Sequence, residues 1–131
     1  MGVTPAINEL TYKIIGCCMA VHSALGPGLL ESAYVACLIV DLREAGLRVD
    51  AGLKVPIFYK GITVECGYRL DLLVEGTVIL ELKAVEALHP IHEAQLVTYL
   101  KLTGKPIGLL VNFNVALLKN AGIVRKINTK D

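Results

Sequence analysis

The apolar positions of this chain change period several times, and each change marks an element. Ile7, Leu10, Ile14, Cys18, Val21 and Leu25 recur at three- and four-residue steps, which predicts a helix with one apolar face. Thr4-Pro5 opens it with a hydroxyl cap and a proline at its first position, and Gly26-Pro27-Gly28 ends it. A second helix is predicted over residues 29–45, with Gly46 as its stop. The period then drops to two. Residues 55–59 and 62–65 read as strands flanking Lys60-Gly61, a tight hairpin signal. The second strand is expected to continue to Leu73, and a third covers Val78 to Lys83, beyond a turn around Glu75-Gly76. A helix follows, with Pro90 near its start and Gly104 just past its end. Residues 106–113 are almost wholly apolar, the pattern of a strand buried on both faces. Residues 122–127 read as a last, edge strand. The predicted order, α-α-β-β-β-α-β-β, is an α/β fold with a central mixed sheet.

Composition sharpens this picture. A length of 131 residues suits a single domain over 1–131. The apolar fraction of 54% is high and the charged fraction of 19% is low against a usual ~25%. That excludes a disordered chain, and it predicts apolar surface covered by a second copy, a homo-oligomer with a dimer as the expected form. Mean hydropathy of +0.59 raises the question of a membrane. The longest run without Asp, Glu, Lys or Arg, residues 14–30, contains His22, Ser23 and Gly26-Pro27-Gly28, so no spanning helix is expected. No basic segment precedes an apolar core at the N-terminus, so no secretion signal is expected. Cys17, Cys18, Cys37 and Cys66 show no zinc-type spacing and read as small buried hydrophobes of a reducing cytoplasm.

Net charge is +1, unevenly spread: through Leu96 there are 7 basic and 11 acidic residues, and from Val97 onward 6 basic and 1 acidic. Such a balance excludes a strongly cationic polyanion binder but allows a local patch for phosphates. Lys101, Lys105, Lys119, Arg125, Lys126 and Lys130 are candidates to hold a nucleic-acid backbone. The alternative for them is an ordinary solvated surface. An aromatic fraction of 5% argues against extensive base stacking, and binding is expected to be weak and easily lost with salt.

Strand alternation selects the candidate chemistry. Ile79, Glu81 and Lys83 share one face of their strand, and Arg69, Asp71 and Leu73 share a face of the strand before it. Whether Asp71 meets Glu81 depends on the turn. A two-residue loop, Glu75-Gly76, sets Asp71 opposite Leu80 and on the wrong face. A three-residue loop over 74–76 or 75–77 sets it opposite Ile79 or Glu81, and 74–76 is favoured because glycine then ends the loop. One reading of these residues is a salt-bridged cluster of Arg69, Asp71, Glu81 and Lys83 at a sheet end. The other is a divalent-metal site, in which Asp71, Glu81 and the Leu82 carbonyl offer hard oxygen ligands to Mg²⁺ or Mn²⁺.

Asp71 followed by Glu81-Leu82-Lys83 resembles the Asp…(Asp/Glu)-x-Lys signature of the PD-(D/E)XK nuclease superfamily. Gly28-Leu29-Leu30-Glu31-Ser32-Ala33-Tyr34 is similar to the G-x-x-E-x-x-Y motif that names a bacterial and archaeal family within it. His92-Glu93-Ala94-Gln95 and Asn112-Phe113-Asn114 add to the likeness, while Leu70 stands where the superfamily name has proline. The resemblance implies a restriction-endonuclease-like core with an extra N-terminal helix. It implies Asp71 and Glu81 as metal ligands, with Lys83 beside the attacking water. Glu31 resembles the acid that many relatives supply from the helix before the sheet, reaching the metal directly or through water. As a bare residue it is also a favourable charge in a helix's first turn. Gln95 and Tyr99, four apart on one helix face, resemble a Gln-x-x-x-Tyr pair that meets the metal site or a substrate phosphate. Tyr34 reads as core or as a hydroxyl tether, and His92 as a helix-end residue. His22 is a weaker candidate for metal, proton-transfer or substrate contact, more often a packing residue.

The resemblance implies a metal-dependent nuclease, with DNA as the expected substrate and 5′-phosphate and 3′-hydroxyl products. Flanked by carboxylates, Lys83 suits water orientation and charge stabilisation better than resting general-base work. Two other readings compete. The fold also suits a non-catalytic module that binds nucleic acid or protein, or an oligomeric structural protein whose charges only pair with each other.

Overall fold

A computed structural model of the chain describes residues 2–129. Helix α1 (Pro5–Leu25) starts as its capping residues dictate: Thr4 Oγ1 accepts the Ile7 N–H at 3.2 Å, with Pro5 in the first turn. It buries Thr11, Ile14, Cys18, Val21 and His22. The predicted apolar stripe holds from Ile7 to Val21, with Ile7 and Leu10 partly buried against the core, and its last member, Leu25, is exposed. Thr11 and His22 are tolerated inside because each has a backbone partner, the carbonyls of Asn8 and Val115. Helix α2 (Glu31–Glu44) packs beside α1 through Tyr34, Leu38 and Leu42.

Strand β1 (Val49–Ala51) follows, and then a separate hairpin of β2 (Ile57–Tyr59) and β3 (Ile62–Val64). Lys60 and Gly61 both have positive φ, 50° and 77°, as a two-residue hairpin turn requires. The expected continuation of the second hairpin strand to Leu73 does not occur. Gly67 takes φ 78°, which breaks the extended run. The backbone beyond it bonds elsewhere: Val55 N to Tyr68 O and Leu70 N to Leu53 O, both at 2.8 Å. Extended pairing resumes at β4 (Leu72–Val74), followed by β5 (Val78–Lys83), α3 (Pro90–Thr103), β6 (Ile107–Asn112), α4 (Leu118–Ala121) and β7 (Ile123–Ile127). Neither the three-residue β1 nor the four-residue α4 was anticipated, because neither is long enough to show a period.

The main sheet has the order β1-β4-β5-β6-β7. Only β5 and β6 are parallel, with α3 as their crossover; the other pairs are antiparallel. β6 is buried throughout, as its unbroken apolar run predicts, and β7 is an edge. Alternate side chains separate two cores. Leu72, Val74, Leu80, Leu82, Leu109 and Val111 face α1 and α2. Leu73, Ile79 and Leu110 face Leu96, Tyr99 and Leu100 of α3. The architecture is thus α/β, with a mixed five-stranded sheet flanked by helices and an added N-terminal helix. Among the described residues no helix is long and apolar enough to cross a membrane. Cys18 is buried and Cys17 and Cys37 half-buried, but Cys66 is exposed on the segment after the hairpin, contrary to the expectation that all four are buried.

Register settles the turn between β4 and β5. Val74 pairs with Val78 and Leu72 with Leu80, so the loop is 75–77, not the favoured 74–76. Glu75 and Gly76 both take positive φ, 53° and 61°. Thr77 donates its N–H to Val74 O and its hydroxyl to Glu75 O, each at 2.9 Å, and so lies outside the ladder. Arg48 locks the turn from β1's side: its N–H donates to the Glu75 carboxylate at 2.6 Å, and its carbonyl accepts the Glu75 N–H at 2.8 Å.

The junction of β6, α4 and β7 is tightly packed around Gly122. A Cβ on Gly122 would lie 2.8 Å from the Asn112 carbonyl oxygen and 2.5 Å from Leu118 Cδ1. Gly122→Ala is expected to lower unfolding stability by about 1–3 kcal/mol, measured by urea titration. An unchanged midpoint would show that the junction yields freely.

Candidate active site

The acids come together where the β4–β5 ladder stops. A register of Leu72 on Leu80 sets Asp71 opposite Glu81. At that point side chains replace the backbone ladder. The Asp71 N–H donates to Glu81 Oε2 at 2.9 Å, and the Leu82 N–H donates to Asp71 Oδ2 at 2.8 Å. Those donors are available because the preceding backbone has turned away, with Leu70 N on Leu53 O and Gly52 N on Asp71 O. Among the described residues, Asp71 Oδ1 and Glu81 Oε1 accept no hydrogen bond. No buried side-chain polar atom there lacks a partner, so each of these two oxygens keeps some contact with solvent. A strand residue turns its carbonyl to the same side as its N–H, which directs the Leu82 carbonyl to the same opening.

Electrostatics show how closely these groups crowd. Glu81 is only 4% exposed. Burial first and the Asp71 charge second push its carboxyl up from 4.5 to about 8, against the pull of the Asp71 N–H and Lys83. Burial also raises the Asp71 carboxyl, opposed by the Leu82 N–H and by Lys83. Glu31, the first residue of α2, is raised by burial and then by Asp71. Three carboxylates raised by burial, Glu81 also by Asp71 and Glu31, around a single lysine form a site short of positive charge. The salt-bridged alternative does not fit: Lys126–Glu93 at 2.7 Å is the one ion pair within 4.0 Å among the described residues. Arg69 instead donates to Gly52 O at 3.3 Å.

Supporting residues fix the entry points of Glu31 and Lys83. Buried Tyr34 donates its hydroxyl to Gly26 O at 2.5 Å and accepts the Leu29 N–H at 3.2 Å. Gly26 and Gly28 take φ 69° and 102°, so the loop between α1 and α2 curls over the Tyr34 ring and delivers Glu31 one helical turn before it. Phe113 stacks on Tyr34 at 4.5 Å. Asn112, at the end of β6, brackets Val85 with two bonds, Val85 N to Oδ1 at 3.0 Å and Nδ2 to Val85 O at 2.9 Å. That clamp holds the chain leaving Lys83. Asn112 stands out in sequence within Asn112-Phe113-Asn114, but its partner cannot be read there.

Of the α3 candidates, Tyr99 is buried and its hydroxyl is raised by burial and then by the charges of Glu81 and Asp71. Gln95 and His92 share its side of the helix, lining one cavity with it. The His92 imidazole is lowered by burial and by Lys83, and its Nδ1 accepts the His89 N–H at the start of α3. Lys101 is exposed and does not line that cavity. His22 is also elsewhere, its Nε2 2.8 Å from Val115 O and its ring against Phe113. The basic residues of the last third do not converge on the acids. Lys126 holds Glu93, Arg125 donates to Asn8 Oδ1 at 2.7 Å, and Lys119 is exposed on α4. Lys105 precedes the start of β6, a strand's length of roughly 16 Å from the Lys83 end. Lys130 lies outside the described residues.

Among the described residues no three His, Cys, Asp or Glu side chains are grouped closely enough to hold a metal by themselves. The donor set that does fit a hard divalent cation is two carboxylates with free oxygens and a backbone carbonyl, with water completing the shell. Compared with known families, residues 8–126 match the PD-(D/E)XK nuclease superfamily. No curated protein and no solved structure gives a significant match.

The raised acids have a consequence for stability. Glu81 titrates from 4.5 to about 8 on folding, so the folded chain holds the proton more tightly and cation-free stability falls as pH rises through that window. Glu81→Gln keeps an acceptor for the Asp71 N–H without the charge. In EDTA it is expected to match the parent near pH 4 and exceed it by more than about 1 kcal/mol at pH 8, by urea unfolding. Parallel pH curves would contradict the buried, crowded carboxylate.

Proposed function

The chain belongs to the PD-(D/E)XK nuclease superfamily, and from that premise we propose that it is a metal-dependent nuclease whose substrate is DNA and whose cation is Mg²⁺ or Mn²⁺. The observation that carries this reading is the pair of outward carboxylate oxygens, Asp71 Oδ1 and Glu81 Oε1, beside the Leu82 carbonyl. The G-x-x-E-x-x-Y grouping is part of the proposal. It is supported by the way Tyr34 ties down the loop that leads to Glu31.

Asp71, Glu81 and the Leu82 carbonyl would hold the cation, with Glu31 acting on it from the α2 end. A bound divalent cation polarises a phosphoryl oxygen and lowers the pKa of a water. The chain's own residues do the rest. Lys83 extends from the same face as Glu81, orients the attacking water and stabilises charge on the phosphate. Gln95 and Tyr99 border the acids from α3 and fix the phosphate's position. Lys101 is left out of this assignment because it does not line the cavity beside Tyr99, and His22 because its Nε2 is taken by Val115 O. A dimer completes the reading, covering apolar hairpin surface such as Phe58, 65% exposed, and Ile62, 64% exposed. A monomer mass by light scattering at micromolar concentration would remove the dimer.

The direct test is incubation with DNA and with RNA in Mg²⁺ or Mn²⁺. Cleavage is expected, with Lys83→Ala slower by about 100-fold or more and Asp71→Ala inactive. Calorimetry is expected to give a metal-binding heat that Asp71→Ala abolishes. Equal cleavage by parent and variants would mean a contaminant and defeat the reading. Salt-dependent nucleic-acid binding indifferent to EDTA and to Asp71→Asn would favour a binding module.

A further inference from the structure

Next to the acids is an open cavity of about 510 Å³, of whose wall only Gln95 and Tyr99 enter the chemistry above. Three separate segments wall it: Ile57 of β2, Tyr68 on the stretch leading to Asp71, and Ile91, Gln95, Thr98 and Tyr99 on α3. The Tyr68 and Tyr99 rings meet edge to face, with centroids 6.3 Å apart at 64°. Tyr68 remains 43% exposed and Ile91 69% exposed, so flat apolar surface opens to solvent here. Tyr99, which lines the cavity, shares a buried cluster with Leu70, the residue before Asp71, and with Ile79, two residues before Glu81 on the same face of β5. A group bound in the cavity therefore adjoins whatever occupies the acid site.

The charge distribution selects the occupant. Net charge is +1, and the basic residues of the last third are paired or displaced from the acids. The cavity wall, which contains no Lys or Arg, therefore offers little grip on a phosphate backbone. What it offers instead is aromatic and aliphatic wall. Duplex DNA presents phosphates and groove edges, with its base faces stacked away, whereas an unpaired base presents a π-face that aromatic side chains bind almost regardless of sequence. A base is joined to its own phosphate through one sugar, so a cavity bordering the phosphate site receives it only once the base has left the stack.

We propose that this cavity takes an unpaired nucleobase beside the scissile phosphate, so that the site acts on single-stranded or splayed nucleic acid and not on intact duplex. The proposal rests on the nuclease reading for its cleavage step, and its binding step is tested separately. In EDTA, a single-stranded oligodeoxynucleotide carrying 2-aminopurine is titrated with the full chain and compared with the same oligonucleotide in a duplex. The single strand is expected to bind more tightly and change its fluorescence. Tyr68→Ala is expected to weaken it roughly 5- to 100-fold, whereas Tyr68→Phe, which keeps the ring, stays close to the parent. Tyr12→Ala, on the exposed side of α1 at 82% exposure, serves as the remote control and leaves binding unchanged.

Equal binding of duplex and single strand, or full binding by Tyr68→Ala with its circular dichroism intact, would overturn the proposal. So would a change in mass on Tyr68→Ala by light scattering, because the cavity would then be an interface between copies. Cleavage of the same oligonucleotides in Mn²⁺ separates the two readings. Asp71-dependent cleavage of intact duplex at the single-strand rate would leave the nuclease standing and end the base pocket. Tyr68-dependent binding without cleavage would end the nuclease and leave the pocket.

Discussion

Two backbone N–H groups that uninterrupted ladders would have paired, Leu82's across β4–β5 and Asp71's toward β1, are accepted instead by carboxylates, those of Asp71 and Glu81 respectively. That reciprocal exchange makes the site possible. Ionised carboxylates inside an apolar fold cost several kcal/mol each unless hydrogen bonds and a counter-charge offset the lost hydration. Here each acid has one oxygen held by an amide, which fixes its direction, and one oxygen left outward. The cost that remains shows as carboxyls lifted above their ordinary range. It is relieved by a cation or a proton, and Lys83 relieves it only in part.

The exchange depends on β4 being short. Gly67 and the bonds from residues 68–70 to residues 53–55 draw the chain away from β5 just before Asp71. A longer β4 would have closed the ladder and sealed the opening. The hairpin of β2 and β3 is a by-product of the same detour. It stands outside the main sheet, and with Tyr68 and α3 it walls the cavity beside the acids. Site and cavity thus share one cause, the early end of a strand.

Opposite this, the α1–α2 loop and the end of β6 are braced by side chains that touch no acid. Tyr34 binds the loop backbone at Gly26 and Leu29, Phe113 stacks on Tyr34, and His22 packs on Phe113. Asn112 closes the chain after Lys83. These polar and aromatic residues are positioning groups, and His22 belongs with them. It is 8% exposed, and its ring is held by Val115 O and packs on Phe113.

The sequence by itself determined the three long helices, the buried strand β6, the hairpin turn and the shared face of Glu81 and Lys83. These follow from local rules: periods of 3.6 and 2, glycine and proline at element ends, and side-chain alternation. Cys66 and Leu25 are exposed against expectation because residue type says what tends to be inside, not where the chain puts it. The partner of Asp71 was open between registers. It was decided by Thr77 leaving the ladder and Arg48 gripping Glu75, a contact across 27 residues. Only the tertiary structure could choose there, because a one-residue slip in register leaves the local pattern intact while reversing the face on which every side chain lies.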